Sequence, residues 1–541
     1  MKFVHLLFST DKIRVILAFF TGLLTGASNA GIIALINIAI ANPQYSKIIL
    51  GISFVGFCLL LLVSMTASQI LLGRLVQGVT YNLKLQLNRR ILACPLHQIE
   101  QIGGSRLLAT LTDDVEAISA ASAMFANLCV AIAMVVACVV YLCWLSLPIF
   151  TLILGSLLLG IISTNLLLNQ ARHFFKLARV EQDKLFSPFR TTIEGIKELK
   201  LDSQRRQAFI SDDLEVSANN YRKHRVKAVD VLAIAGSWGV VALFIPIGLL
   251  VFILPSLFNL STSVLSGYAL AIVFMLTPLR IILNTLPEVA RANIALEKIE
   301  SLGLSLAAVT IEPEIQVYPN QKSFKSCLEF FGVTHSYFNE RDGSHFTLGP
   351  INLSFAPGEL VFIIGGNGSG KSTLVKLITG LYIPADGAVL LDGEAITDKN
   401  RDWYRQQFSV VFSDFYLFER LLGFNDAGLD VQAQDYLVKL QLDHKVQIKN
   451  GVLSSTSLSQ GQRKRLALLT AYLEDRPIYV FDEWASDQDP VFKEVFYTQL
   501  LPELKKRGKT VLAISHDDHY FYVADRIVKL DYGQVEYDKV L

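Results

Sequence analysis

The sequence predicts two domains of different fold class: an α-helical domain of six membrane-spanning segments, followed by an α/β domain with a largely parallel sheet. Of the 541 residues, 52% are hydrophobic and 18% are charged, a balance that soluble proteins of this length rarely show. The hydrophobic excess ends near residue 290, and after it short β-type runs alternate with helical stretches. These two observations together predict the division.

Six stretches in the first half are long enough to cross a hydrocarbon core of about 30 Å at a rise of about 1.5 Å per residue. Buried helices of a large soluble core are the alternative, but only Asp230 and Arg280 bring charge into these stretches. The third and fourth stretches are separated by residues 144–148 alone, which predicts a tight helical hairpin. The six predicted spans cover residues 15–39, 49–73, 123–143, 149–169, 229–254 and 262–285.

The Lys and Arg residues predict the orientation of these spans. The short connections 40–48, 144–148 and 255–261 hold one such residue, Lys47, whereas the connection 171–226 holds twelve. By the positive-inside bias, both long connections and both termini are expected in the cytoplasm. The first span has no clear cleavage boundary and is expected to be a retained anchor.

The two long connections keep a helical periodicity, so they are expected to extend the spans. Within them, residues 106–112 and 189–197 are predicted to form short helices that dock on a cytoplasmic domain, with simple solvated turns as the alternative. The predicted division is a transmembrane domain over residues 1–290, a linker over 291–325 and an α/β domain over 326–541. A net charge of +1 gives no support to a nucleic-acid partner, and six cysteines without paired spacing favour free thiols.

Residues 365–372 read Gly-Gly-Asn-Gly-Ser-Gly-Lys-Ser, between an apolar strand and a predicted helix. This is the pattern of a phosphate-binding loop, whose glycines let backbone N–H groups point at phosphates. Lys371 would reach the β- and γ-phosphates, and the Ser372 hydroxyl would contact Mg²⁺. ATP and Mg²⁺ are therefore the expected cofactors of a P-loop nucleotide-binding domain. The residues expected to contact ATP here are Gly365, Gly366, Asn367, Gly368, Ser369, Gly370, Lys371, Ser372 and Thr373.

Three further motifs fit this chemistry. The apolar strand 478–481 leads into Asp482 and Glu483, where Asp482 can join the Mg²⁺ shell and Glu483 can activate the attacking water. His516 follows another apolar strand and is a candidate catalytic contact to the γ-phosphate, although a lone histidine is more often structural. Tyr337 is a candidate for stacking on adenine, with a core tyrosine as the alternative.

A fourth motif precedes a basic triplet and an apolar helix. A serine and a glycine at a helix start offer a hydroxyl and free N–H groups, which suit a γ-phosphate, while an ordinary helix cap is the alternative. The motif consists of Leu458, Ser459, Gln460, Gly461 and Gln462.

With these five elements in order, the chain resembles the ATP-binding cassette family, and its whole length is similar to an exporter-type half-transporter. Residues 481–490, FDEWASDQDP, and residues 515–521, SHDDHYF, are similar to the cyclic-peptide exporter branch, which includes exporters of syringomycin-type lipopeptides and pyoverdine precursors. The resemblance implies a homodimer, in which each ATP lies between the phosphate loop of one copy and the signature motif 458–462 of the other. It implies ATP-driven export of a peptide natural product across the inner membrane.

The chain departs from the family pattern before Leu417-Phe418, where Ser413 stands in place of the usual glutamine. Ser413, acting on Mg²⁺ partly through water, or the adjacent Asp414 is expected to replace it. A loop residue with no such role is the alternative. The segment 418–458 is also short for the family's helical subdomain.

Other functions share these motifs. A lipid flippase, an importer of the same architecture and a membrane-tethered regulatory ATPase would each carry the same ATP-binding elements. The spans do not identify the cargo, because Asn29, Asn37 and Asn284 are equally compatible with helix packing.

Overall fold

The computed structural model describes residues 12–41, 46–257, 261–302, 327–339, 344–424 and 428–541. The chain divides into two compact units. The membrane unit comprises residues 1–92 and 104–309, and the nucleotide unit comprises residues 93–103 and 310–541.

Six helices in the described residues are long and apolar enough to cross a membrane, which confirms the predicted number of spans. They are α1 Lys12–Ala41, α2 Lys47–Ala93, α4 Gly104–Leu145, α5 Leu147–Glu194, α7 Ser203–Ile253 and α9 Thr262–Ser301. The short helices between them are α3 Leu96–Ile102, α6 Ile196–Leu201 and α8 Leu254–Leu257. Helices α2, α4, α5 and α7 have 42 to 51 residues, so they extend beyond the predicted spans as expected.

The predicted hairpin between the third and fourth spans is present. Helix α4 ends at Leu145 and α5 begins at Leu147, with Ser146 in an extended conformation between them. The hydroxyl of Tyr268, on α9, donates to the carbonyl oxygens of Leu142 at 2.8 Å and Ser146 at 2.6 Å. Both carbonyls also accept a backbone N–H, from Ser146 and Phe150 respectively, so Tyr268 adds a bond from α9 to the turn of the hairpin.

The core of the membrane unit forms where α1, α4 and α9 pack against one another, while α5 and α7 form a second close pair. Ile33, Leu142 and Ile272 are buried in this core. Asn37 on α1 joins the same helices, because its amide donates to the Tyr141 hydroxyl at 2.9 Å and its oxygen accepts from Ser266 at 2.5 Å. Asn37 is therefore a helix-packing residue.

The two short helices do not lie where the sequence pattern placed them. Residues 106–112 lie inside α4, and the short helix is α3, which starts after Pro95 and ends at Gly103, whose φ is 83°. In the second connection, α5 continues to Glu194 and the short helix after Gly195 is α6. Proline and glycine positions, rather than hydrophobic periodicity, decide these boundaries.

Helix α9 continues to Ser301, so residues 291–301 of the predicted linker are helical. The remainder of that linker, from residue 303 onward, lies outside the described residues.

The nucleotide unit is an α/β domain, as the sequence predicted. Its strands are β1 Leu328–Asn339, β2 Ser344–Phe355, β3 Leu360–Gly365, β4 Asp386–Leu391, β5 Glu394–Ala395, β6 Phe408–Val411, β7 Ile448–Lys449, β8 Val452–Leu453, β9 Ile478–Asp482, β10 Thr510–Ile514, β11 Arg526–Asp531 and β12 Gln534–Val540. Its helices are α10 Lys371–Ile378, α11 Arg401–Arg405, α12 Leu429–Lys439, α13 Gln460–Glu474 and α14 over residues 490–506, with short 3₁₀ turns at Trp484–Asp487 and Asp518–Val523.

The main sheet has the strand order β12-β11-β3-β10-β9-β6, and all neighbours are parallel except β11 and β12. Strands β9 and β10 are buried along their whole length and β3 along all but its last residue, as expected for central strands covered on both faces. The carboxyl ends of parallel strands meet at one edge of the sheet, which is where ligands bind in such folds. The second sheet, β2-β1-β4-β5, is antiparallel.

Between β6 and α13, the described residues contain one helix of 11 residues, α12, and the small hairpin of β7 and β8.

Candidate nucleotide-binding site

The phosphate loop connects the buried strand β3 to α10, as the motif predicted. Gly370 is the last residue before α10 and has a φ of 101°. A Cβ there would lie 2.8 Å from Leu348 Cδ1 and 3.0 Å from the Phe346 ring, so only glycine fits. The loop therefore places its backbone directly against β2, at the start of α10.

Lys371 turns back over this loop. Its Nζ atom donates to the carbonyl oxygens of Gly365 and Gly366, both at 3.0 Å, and the residue is only 5% exposed. Burial lowers the pKa of the Lys371 ammonium, and the nearby carboxylates of Glu483 and Asp482 oppose that shift. The phosphate loop and the acidic end of β9 thus face the same space.

Asp482 is the last residue of β9 and is 3% exposed. Its Oδ2 atom accepts a hydrogen bond of 3.1 Å from the Ser413 hydroxyl. Its Oδ1 atom is buried and has no hydrogen-bond partner among the described residues. Burial raises the pKa of the Asp482 carboxyl, while hydrogen bonds from Ser413 oppose the shift.

This arrangement fits a magnesium ion. A buried carboxylate oxygen without a partner is costly unless a cation or donor reaches it, and Mg²⁺ prefers such oxygens. No cluster of three or more His, Cys, Asp or Glu able to hold a metal occurs among the residues the structure describes. Mg²⁺ usually takes one or two protein oxygens and completes its shell with phosphates and water, so Asp482 and Ser372 are the residues that would hold it.

Glu483 and His516 lie side by side. They follow β9 and β10, which are parallel neighbours with Ile514 opposite Asp482. The His516 Nε2 atom lies 3.2 Å from Glu483 Oε1, and both side chains remain partly exposed. Glu483 has a φ of 49°, an uncommon conformation for a residue with a side chain. The sequence predicted each residue separately, and the structure brings them into contact.

Tyr337 lies on β1 opposite Phe346 of β2 and is 38% exposed. The two ring centroids are 5.4 Å apart. Because Phe346 in turn contacts Gly370, Tyr337 lies next to the phosphate loop with one ring between them. Its exposed face is compatible with stacking on a base, and the stacking itself stays a prediction.

The signature segment begins α13 with a capping box. The Ser459 hydroxyl accepts from the Gln462 backbone N–H at 3.4 Å, and the Gln462 side chain accepts from the Ser459 N–H at 3.2 Å. Gly461 packs so closely that a Cβ would lie 2.7 Å from the Asp487 carbonyl oxygen. Within one chain, the helix cap that the sequence left as an alternative is therefore present.

Among the residues that the structure describes, the signature segment and the phosphate loop do not form one site within this chain. In the described residues, the side-chain hydrogen bonds of residues 458–462 join these residues to one another or to the loop after β9. The Gln460 amide donates to Asp487 at 3.4 Å, and the Gln488 amide donates to the Gly461 carbonyl oxygen at 3.0 Å. Lys371, Asp482, Glu483 and His516 are brought together at the sheet edge, and the signature segment is not among them.

Lys464 was not singled out from the sequence. It is 1% exposed, and its Nζ atom donates to the Glu483 carbonyl oxygen at 2.9 Å and to the Ser486 hydroxyl at 3.0 Å. It also forms an ion pair of 2.7 Å with Asp487. Lys464 thus ties α13 to Glu483 and to the turn that follows it. A basic residue one turn into a helix gave no sequence signal for this role.

Helix α3 belongs to the nucleotide unit although it lies between two spans in the sequence. Glu100 accepts hydrogen bonds from the Tyr382 hydroxyl and from Lys376 Nζ, the latter at 2.7 Å. The ring of His97 meets Tyr382 edge-on, and Leu96 packs against the core of the unit. Burial and the neighbouring Glu100 raise the pKa of the Tyr382 hydroxyl.

The spans and this site together define a membrane protein with its own nucleotide-binding domain, and comparison with known proteins agrees. The sequence profile of the ABC transporter transmembrane region matches residues 13–277, and that of the ABC transporter matches residues 348–486. The chain belongs to the ABC transporter family and is an ATP-binding half-transporter of the exporter type.

Two relatives and one solved structure are similar to this chain over most of its length. The chain is 36% identical to the ATP-binding protein SyrD of Pseudomonas syringae pv. syringae, over 99% of its own length and 96% of the relative. It is 28% identical to an ATP-dependent lipid A-core flippase of Alkalilimnicola ehrlichii, over 82% of its own length and 76% of the relative. A bacterial Atm1-family ABC exporter with ATP bound shares the fold, with a TM-score of 0.73 at 17% identity over 98% of this chain and 95% of that chain.

Proposed function

We propose that this protein is an ATP-driven exporter that works as a homodimer and transports a cyclic or modified peptide across the inner membrane. The observation that carries the proposal is that a single chain joins six spans to one phosphate loop and one signature segment. The nucleotide unit and both termini are expected on the cytoplasmic side, because the basic residues concentrate in the two long connections.

In the proposed reaction, Lys371 and the backbone of the phosphate loop hold the phosphates of ATP. Asp482 and Ser372 would hold Mg²⁺ with water and phosphate oxygens, and the ion would neutralise the charge that develops on the transferred phosphoryl group. Glu483 would take a proton from the attacking water. His516, 3.2 Å from the Glu483 carboxylate, would orient that carboxylate and donate toward the γ-phosphate.

A second copy of the chain would complete each site. The signature segment of one chain makes its hydrogen bonds away from its own phosphate loop, so its exposed N-terminal turn on α13 is available to ATP held by another copy. Binding of two ATP molecules would then close the two nucleotide units, and hydrolysis would release them.

A peptide cargo is supported by two observations. Residues 481–490 and 515–521 resemble the cyclic-peptide exporter branch, and a relative aligned over nearly the whole chain is the ATP-binding protein SyrD. The similarity to a lipid A-core flippase keeps lipid flipping as the second candidate function.

Transport in sealed vesicles tests the proposal. Purified protein is reconstituted in liposomes of phosphatidylethanolamine and phosphatidylglycerol, and ATP-dependent accumulation of a labelled neutral cyclic peptide is measured, with Glu483→Gln protein as the inactive control. We expect accumulation with the native protein alone. Translocation of a labelled anionic lipid without peptide accumulation would favour the flippase, and ATP hydrolysis without movement of either probe would favour a regulatory ATPase.

A further inference from the structure

A cavity of about 410 Å³ lies within the membrane unit, among α1, α2, α4 and α9. Its volume is within the range of about 300–1,000 Å³ that small-molecule sites occupy. Five lining residues are polar and uncharged, and all five fall inside predicted spans. They are Asn29 on α1, Ser68 and Gln69 on α2, Asn127 on α4 and Thr277 on α9.

In the part of the chain that the structure describes, none of these five side chains makes a hydrogen bond, and three of them, Gln69, Asn127 and Thr277, are exposed. The clearest case is Ser68, which is 1% exposed and whose hydroxyl oxygen is wholly buried and unpaired. Asn29 is only 9% exposed. Unpaired polar groups at membrane depth are costly, so they usually serve a ligand or a pathway.

Polar residues that serve helix packing in the same unit look different. Asn37 bonds to Tyr141 at 2.9 Å and accepts from Ser266 at 2.5 Å. Thr25 donates to Ser64 at 3.0 Å and so joins α1 to α2. Asn37 and Thr25 thus pair with groups on neighbouring helices, whereas Ser68 and Asn29 have no such partner among the described residues.

The residues of the cavity wall also disfavour anionic ligands. None of the described residues that line it is Asp, Glu, Lys, Arg or His. The rest of the wall is apolar and includes Met65, Met134 and Phe274. A phosphate or carboxylate would enter without a cationic partner, which is strongly unfavourable in a low-dielectric site. The amide and hydroxyl groups of the wall offer both donors and acceptors, and these match a neutral amide.

We propose that this cavity binds an uncharged, amide-bearing part of the exported peptide, with an adjoining apolar side chain on the methionine and phenylalanine wall. The inference rests on the proposed export of a peptide and names the part of the cargo that the membrane unit recognises. It also separates the two candidate functions, because an anionic lipid headgroup does not fit this wall.

Direct binding to the full chain in lipid nanodiscs, without ATP, tests the chemistry. The probes are a synthetic cyclic hexapeptide of alternating leucine and asparagine, the same ring with aspartate in place of asparagine, and phosphatidylglycerol. We expect the neutral ring to bind at least about tenfold more tightly than the aspartate ring. Equal or tighter binding of the aspartate ring would overturn the proposal.

Substitutions then locate the site. Asn127→Leu should weaken binding of the neutral ring by about tenfold, since it removes one amide partner. Asn284→Leu is the matched control, because Asn284 is exposed on α9 outside the cavity wall and should leave the affinity unchanged. Ser68→Ala should keep or raise the thermal stability of the ligand-free protein, since it removes an unpaired buried hydroxyl, yet reduce the thermal shift that the neutral ring produces.

The outcomes distinguish this inference from the proposed function. Suppose that Asn127→Leu and Ser68→Ala both leave the affinity unchanged and that ATP-driven flux of the neutral ring is intact. The proposed binding role of the cavity would then be wrong, while the proposed export of peptide would still hold. Absence of ring binding and flux, together with phosphatidylglycerol binding that Asn127→Leu abolishes, would overturn both.

Discussion

At the scale of single residues, the site depends on contacts that a motif does not specify. Glu483 and His516 are 33 positions apart in the sequence and meet because β9 and β10 are parallel neighbours. Asp482 keeps one oxygen bonded to Ser413 and the other without a partner among the described residues. Each contact leads to a prediction about one side chain.

Glu483→Gln should preserve ATP binding and lower ATP turnover by about 100-fold or more, because the base that activates water is lost while the amide keeps the shape. Steady-state phosphate release and equilibrium binding of labelled ATP measure the two effects. The control is Glu494→Gln, which changes an exposed residue of α14, and this variant should hydrolyse ATP at the native rate. Near-native turnover in Glu483→Gln would remove this residue from its proposed role.

Asp482→Asn should raise the thermal stability of the protein at neutral pH when nucleotide and magnesium are absent. Burial raises the pKa of this carboxyl in the folded state, so its charge weakens the fold above that pKa and the penalty disappears as pH falls below the unfolded value. The advantage of the variant should therefore shrink toward acid pH. Thermal unfolding against pH measures it, with the exposed Asp435→Asn as control. Addition of magnesium and ATP should raise the unfolding temperature of the native protein more than that of the Asp482→Asn variant.

Ser413→Ala should reduce substrate-stimulated ATP hydrolysis more than it reduces ATP binding. Ser413 donates to one oxygen of Asp482 and is proposed to replace the glutamine of the family pattern, so its loss should disturb the metal shell rather than the phosphate loop. Asp414→Ala tests the neighbouring carboxylate in the same assay, and Ser354→Ala, on the exposed side of β2, is the control. Unchanged stimulation in both Ser413→Ala and Asp414→Ala would refute the replacement hypothesis.

At the scale of elements, α13 has two tasks that different substitutions can separate. Its cap at Ser459 supports the helix, and the same N-terminus is proposed to face the ATP of another copy. Ser459→Asp should keep the cap, since aspartate is a good N-cap residue, yet abolish ATP turnover by repelling the γ-phosphate. Ser459→Ala should lower stability by about 1 kcal/mol. Thermal unfolding and ATPase assays on both variants measure this, and full activity in Ser459→Asp would contradict the proposed contact.

Some structural elements could be predicted from the sequence, and others could not. The spans, the phosphate loop and the strand before Asp482 were predictable, because each depends on local composition or on a motif of fixed spacing. Helix α3 was misplaced because its boundaries depend on Pro95 and Gly103, while its partners lie more than 270 positions away in sequence. The buried Lys464 was unpredictable for a similar reason, since its environment is created by the turn after β9.

At the scale of the whole molecule, the proposed dimer makes a prediction about pairs of chains. A dimer of one Lys371→Ala chain and one Ser459→Asp chain should keep one intact ATP site, because the native phosphate loop of the second chain meets the native signature of the first. A dimer of a native chain with a chain that carries both substitutions should keep none.

Co-expression with two affinity tags isolates both dimers, and their ATPase rates should differ as stated. If each chain instead supplied both faces of its own site, the order would reverse: the first dimer would be inactive and the second would keep half of its sites. A verified monomer that hydrolyses ATP at the full rate would also contradict the shared sites.

The position of α3 has a practical consequence for the design of truncated fragments of this protein. A recombinant fragment that starts near residue 326 retains every motif for ATP but leaves out Leu96, His97 and Glu100, which complete the packing around Tyr382. Such a fragment should expose an apolar spot and an unsatisfied hydroxyl, and it should be prone to aggregate. A synthetic peptide of residues 93–103, or its genetic fusion ahead of the fragment, should restore solubility.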